Sequence, residues 1–153
     1  MKRPLLVSLS VFAAFLIDMK LSFFGFRTDL TSFVVYWFGF SHSYLGGMLF
    51  GAAVGGIEDS LLSVVIGSAL FGKAVAGFFA SFLSKGFFRW TPVLGFFGAM
   101  GLTFLAGLME LVSIIVFEKA PDVLSLGSLK LLVFQALLNG VLGFIIKPEI
   151  DEL

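Results

Sequence analysis

Long apolar runs, separated by short polar breaks, make up most of the chain. One run, residues 30–57, is too long for a single straight span of about 20 residues, so it is either one long kinked helix or a hairpin of two short helices. Ser41, His42 and Ser43 place polar residues at its midpoint and favour the hairpin. The sequence therefore predicts six helices, at residues 5–17, 30–40, 44–57, 61–83, 92–117 and 127–146.

Composition indicates where these helices lie. The chain is 59% hydrophobic and 13% charged, with a mean hydropathy of +1.08, whereas soluble domains carry about 25% charged residues. The formal net charge is zero, which gives no basic field for nucleic acid, and the chain has no cysteine for a disulfide or a thiolate metal site. The sequence predicts a single integral membrane domain covering residues 1–153.

Two alternatives concern how many times the chain crosses the membrane. The basic N-terminus and first apolar run could form a signal peptide, but no small-residue cleavage site follows, and we interpret the run as a first membrane helix. A five-span arrangement would bury aromatic residues that six spans place at one membrane interface, namely Tyr36, Trp37 and Tyr44. We expect an all-α polytopic bundle of six transmembrane helices, with both termini cytoplasmic.

A row of small residues runs along the third helix at steps of four, which places its members on one helix face. The row consists of Gly47, Gly51 and Gly55, and Asp59 closes it. In lipid such a face lets another backbone approach closely. The row either packs against this chain's own 61–83 helix, through a second row at Ser68, Gly72, Ala76, Ala80 and Ser84, or binds a helix of a partner protein.

Ionisable residues within apolar helices are costly unless they have a partner. Lys73 and Glu110 lie at similar depth on antiparallel helices, and we predict that they form a structural ion pair. Asp59 is interpreted as the N-cap of a helix starting at Leu61, or as a partner contact. His42, the one histidine, is interpreted as a turn residue. No catalytic, cofactor-binding or metal-binding residues are predicted.

The order of these features resembles the MreD family, the small membrane subunit of the bacterial rod-shape machinery. The resemblance covers most of the chain and is clearest between Asp29 and Lys85. Within that part, Gly51, Gly55 and Asp59 stand at the family's spacing, and Thr28-Asp29-Leu30, Leu61-Leu62, Gly67 and Gly77 follow the family's order. Here Glu58 precedes Asp59, so two adjacent acids stand where many relatives have one.

The resemblance implies a non-catalytic scaffold in the bacterial inner (cytoplasmic) membrane. Family members work with MreC, a bitopic membrane protein, and are linked to the MreB filament, the RodA polymerase and its class B penicillin-binding protein. The family's fold is similar to the substrate-binding S-components of energy-coupling factor transporters, so a vitamin-binding transporter subunit is the alternative. The polar residues that could line its cavity are few: Thr103, Glu110, Gln135 and Asn139.

Overall fold

The computed structural model describes residues 2–23, 28–62, 67–86, 90–118 and 125–147. These residues form six α-helices, and none of them is in a β-strand. In chain order the helices are α1 (Lys2–Phe23), α2 (Leu30–Ser41), α3 (Tyr44–Leu62), α4 (Ser68–Gly86), α5 (Pro92–Glu118) and α6 (Leu126–Ile145). The all-helical prediction is confirmed for this part of the chain.

The predicted hairpin is also confirmed, because α2 ends at Ser41 and α3 begins at Tyr44. His42 has an extended backbone that stops α2, and its imidazole Nδ1 lies 2.9 Å from the carbonyl oxygen of Phe38. The hydroxyl of Ser81 on α4 is 2.7 Å from the carbonyl of Gly39, which ties the turn to the neighbouring helix. A single kinked helix over residues 30–57 is thereby excluded.

The fourth helix begins later than the sequence predicts. Leu61 and Leu62 continue α3, and α4 starts at Ser68. Gly67 precedes it with a φ of +105°, in the left-handed region that glycine adopts without steric cost. The chain turns at Gly67, so the predicted helix of residues 61–83 is corrected to Ser68–Gly86. Residues 24–27, between the first two predicted helices, lie outside the described residues.

The helices pack around α2, which contacts each of the other five. Antiparallel pairs α3–α4 and α5–α6 flank it, and its own face buries Phe33, Tyr36 and Phe40. These rings pack against small side chains of α4 and α5, among them Ala76, Ala80, Ala99 and Ala106. Small residues on the outer helices thus make room for large rings on the central one.

Apolar side chains also cover the outside of the bundle. Two helical stretches among the described residues, Pro92–Phe117 and Leu126–Ile145, are long and apolar enough to cross a membrane. Only 17% and 28% of their apolar windows are buried, whereas the core helix of a soluble protein would be mostly buried. Length, composition and exposure together indicate membrane association.

Candidate functional site

The glycine row of α3 lies directly against the backbone of α4. A Cβ atom added at Gly51 would stand 2.7 Å from the carbonyl carbon of Lys73, and one at Gly55 would stand 2.6 Å from Cα of Leu70. No side chain fits at such distances, so the two helices are in backbone contact, as small residues allow in membrane bundles. α4 fills the face of the row, which leaves no room there for a partner's helix.

The row on α4 that meets these glycines is shifted by one position from the predicted row. Gly47 meets Gly77 and Ser81, while Gly51 meets Lys73. The predicted row faces other helices: Gly72 lies against Ala106 of α5, and Ala76 and Ala80 belong to the core around α2. One residue along a helix is a rotation of about 100°. One face of α4 therefore packs against α3, and the adjacent face packs against α2 and α5.

Lys73 is 2% exposed and forms the centre of a buried ion cluster. Its ammonium lies 3.1 Å from Oδ1 of Asp29 and also pairs with Glu58. A helical side chain leans towards the N-terminus of its helix, and on α4 that direction leads towards the end of α3 where Glu58 stands. The sequence predicts Glu110 as the partner of Lys73; the structure instead gives Lys73 these two carboxylates.

Thr31 and Asp29 complete the cluster at the start of α2. Thr31 Oγ1 lies 2.9 Å from Asp29 Oδ1 and 3.0 Å from Glu58 Oε2, so its hydroxyl donates to one carboxylate while accepting from Lys73. Asp29 also N-caps α2 by accepting from the backbone N–H of Ser32 at 3.1 Å. Burial opposes ionisation of Asp29, and the Lys73 charge together with the hydroxyl donors Thr31 and Ser32 offsets that cost.

Two further helices reach the cluster through polar side chains. Asn139 of α6 donates to the carbonyl oxygen of Asp29 at 2.7 Å and to Thr103 Oγ1 of α5 at 3.0 Å. Glu110 on α5 is partly buried and interacts electrostatically with Asp29 and Lys73. The cluster and its immediate neighbours therefore join α2, α3, α4, α5 and α6.

Asp59 follows Glu58 in the sequence but has a different structural role. Its carboxylate accepts from three backbone N–H groups at the start of α4, those of Gly67, Ala69 and Leu70, at 2.9–3.0 Å. The capping interpretation thus applies, but to the helix that begins at Ser68, and the cap comes from within the last turn of α3. The two adjacent acids divide the roles: Glu58 neutralises Lys73, and Asp59 caps α4.

Asp18 of α1 has a role that the sequence interpretation misses. It is 9% exposed and accepts from the Thr28 hydroxyl at 2.5 Å and from the backbone N–H of Leu30 at 3.1 Å. The available signal was its place near the end of an apolar helix, where a buried carboxylate needs donors. Thr28 and the first turn of α2 supply them.

Within the described residues, no group of three or more histidine, cysteine, aspartate or glutamate side chains could hold a metal ion. Lys73 occupies the centre of the carboxylates, and its ammonium supplies the positive charge there. Removing one partner of a buried ion pair is strongly destabilising, so the cluster stabilises the contact between the helices that supply its members.

Fold and site together define an all-helical bundle with an apolar exterior, whose helices are joined by backbone contact and by a buried ion cluster. No protein-family model, curated protein or solved structure matches this chain.

Proposed function

We propose that this protein is a multi-pass subunit of a bacterial inner membrane that acts as a non-catalytic scaffold of the cell-wall elongation complex, in the manner of the MreD family. In this proposal the six helices cross the membrane and both termini are cytoplasmic. Its partner is an MreC-like bitopic protein, with the RodA-type polymerase, the class B penicillin-binding protein and the MreB filament further along the same assembly.

The observation that carries membrane embedding is the distribution of polarity. Exposed positions along the middle of the helices are apolar, for example Phe71 at 52%, Phe97 at 60% and Val141 at 51%. The exposed lysines among the described side chains, Lys20, Lys130 and Lys147, stand near helix ends. Charges near the middle of the bundle face inwards, as intramembrane charges do.

The scaffold role is supported by the resemblance at Gly51, Gly55 and Asp59, and by what these residues do in the fold. The glycines hold α3 to α4, and Asp59 caps α4. Residues of the resemblance therefore maintain the shape of the bundle, which is what a scaffold presents to its partners. Because α4 fills the glycine face, the partner's span binds elsewhere on the apolar exterior.

Depletion in a rod-shaped bacterium that carries this gene, followed by microscopy, tests the proposal. We expect the depleted cells to become round, and we expect the MreC-like protein to be purified without the partner that co-purifies with it before depletion. Re-expression of the native chain should restore both the rod shape and the complex. A Gly56→Ala chain is the control and should restore both as well, because an added methyl group is tolerated at that position of α3. Cells that keep their shape but need a vitamin to grow would instead identify a transporter subunit.

A further inference from the structure

Helix α1 is attached to the bundle along a narrow strip. Of its described side chains only Ala14, Phe15 and Asp18 are buried, while Phe12 and Leu16 on the other side are 62% and 47% exposed. Its packing partner is α2, with a small apolar cluster that reaches α3 at Val54. The strip is as narrow as the seam of a coiled coil.

Apolar contacts alone hold such a helix weakly in lipid, because acyl chains are as apolar as the side chains they would replace. A polar contact of α1 with α2 therefore adds substantially to its attachment. Asp18 accepts from Thr28 Oγ1 and from the backbone N–H groups of Leu30 and Thr31, the latter at 3.4 Å. These donors lie just before and within the first turn of α2.

We propose that α1 is a separately docked helix and that Asp18 is the clasp that holds it on α2. The links that hold α2–α6 together do not use α1: they are the glycine contact of α3 with α4, and the Lys73 cluster with Asn139. Loss of the clasp releases α1 and leaves α2–α6 assembled. Release exposes the apolar face of α2 that carries Val35.

Pulsed electron paramagnetic resonance in lipid nanodiscs tests this, since the chain has no native cysteine to label by accident. Spin labels at Phe12→Cys and Leu49→Cys report the position of α1, and labels at Leu49→Cys and Phe97→Cys report the rest of the bundle. All three positions are exposed, so the labels leave the buried core intact. We expect Asp18→Ala to raise the undocked fraction in the first pair about tenfold, the scale of lost interhelical hydrogen bonds, while the second pair stays unchanged.

Asp18→Asn keeps one acceptor oxygen and should fall between the native protein and Asp18→Ala. If the distance distribution of the first pair is unchanged in Asp18→Ala, the proposal is overturned. It is also overturned if the distance distributions of both pairs broaden together, because α1 would then be part of one cooperative unit with the other helices. If Asp18→Ala does not accumulate, Thr28→Val removes the 2.5 Å hydrogen bond from Thr28 to Asp18, and the same two label pairs are measured in that variant. An unchanged distance distribution of the first pair in Thr28→Val overturns the proposal. The inference rests on membrane embedding but not on wall elongation, so the cell-shape experiment succeeds or fails independently of it.

Discussion

The backbone contact between α3 and α4 predicts that one methyl group at Gly51 will loosen the bundle. In Gly51→Ala the new Cβ would stand 2.7 Å from the Lys73 carbonyl carbon and 3.1 Å from the Ala74 nitrogen. Both are backbone atoms, which cannot rotate out of the way as a side chain can. The helices must therefore move apart.

The size of the effect follows from these distances. Two carbon atoms settle about 3.5–4.0 Å apart, so the helices separate by roughly 1 Å at this point. A gap of that size removes about a quarter to a half of the dispersion energy of the atoms that line it. Overpacking in a close-packed core costs about 1–3 kcal/mol. The shift also displaces Lys73 from its carboxylates, so we expect a loss of about 3 kcal/mol in the free energy of unfolding.

The assay compares Gly51→Ala with Gly56→Ala in detergent micelles, unfolded by titration with sodium dodecyl sulfate and followed by far-ultraviolet circular dichroism. Both changes make the same glycine-to-alanine exchange inside α3, so helix propensity cancels. At Gly56 the added Cβ meets only a side-chain atom, Leu70 Cδ1, at 3.5 Å, an ordinary contact. We expect Gly56→Ala to match or exceed native stability.

The comparison can refute the reasoning directly. If Gly51→Ala unfolds at the same detergent fraction as Gly56→Ala, close backbone approach does not hold α3 to α4. The assignment of the glycine row to internal packing would then fail as well.

Two further predictions concern the ion cluster and the cap of α4. Lys73→Met should lower the free energy of unfolding by about 3–5 kcal/mol in the same titration, because Asp29 and Glu58 lose their cation. The double variant Lys73→Glu with Glu58→Lys should recover part of that stability, whereas Lys73→Glu with Glu110→Lys should recover none. Asp59→Ala should cost about 1–2 kcal/mol and Asp59→Asn clearly less, since asparagine also caps; equal losses would show that the charge matters instead.

Helix number and the hairpin were predictable because both depend on local signals. Residues 41–43 interrupt a long apolar run with polar side chains, and that break stops a helix wherever the chain is placed. The start of α4 was not predictable in the same way. Apolar residues continue past Leu61 without a strong break, and only the positive φ of Gly67 marks the turn.

The partner of Lys73 was missed for a different reason. Sequence spacing gives depth along one pair of helices, and by that measure Glu110 is a reasonable neighbour of Lys73. It does not reveal that α2 begins beside Thr103 and Asn139, well within the length of α5 and α6. That placement brings Asp29 to Lys73, and it comes from the packing of rings on α2 against small residues, which has no signature in spacing.

The central position of α2 has a consequence for how this protein's topology should be measured. Its 12 residues span about 18 Å, well short of a hydrocarbon layer of about 30 Å. Since other helices surround it, neighbouring side chains satisfy its ends, and matching the lipid thickness is unnecessary. Sliding-window hydropathy, which presumes contact with acyl chains, will pass over such a segment. Crossings should be determined by membrane-impermeant labelling of loops on each side.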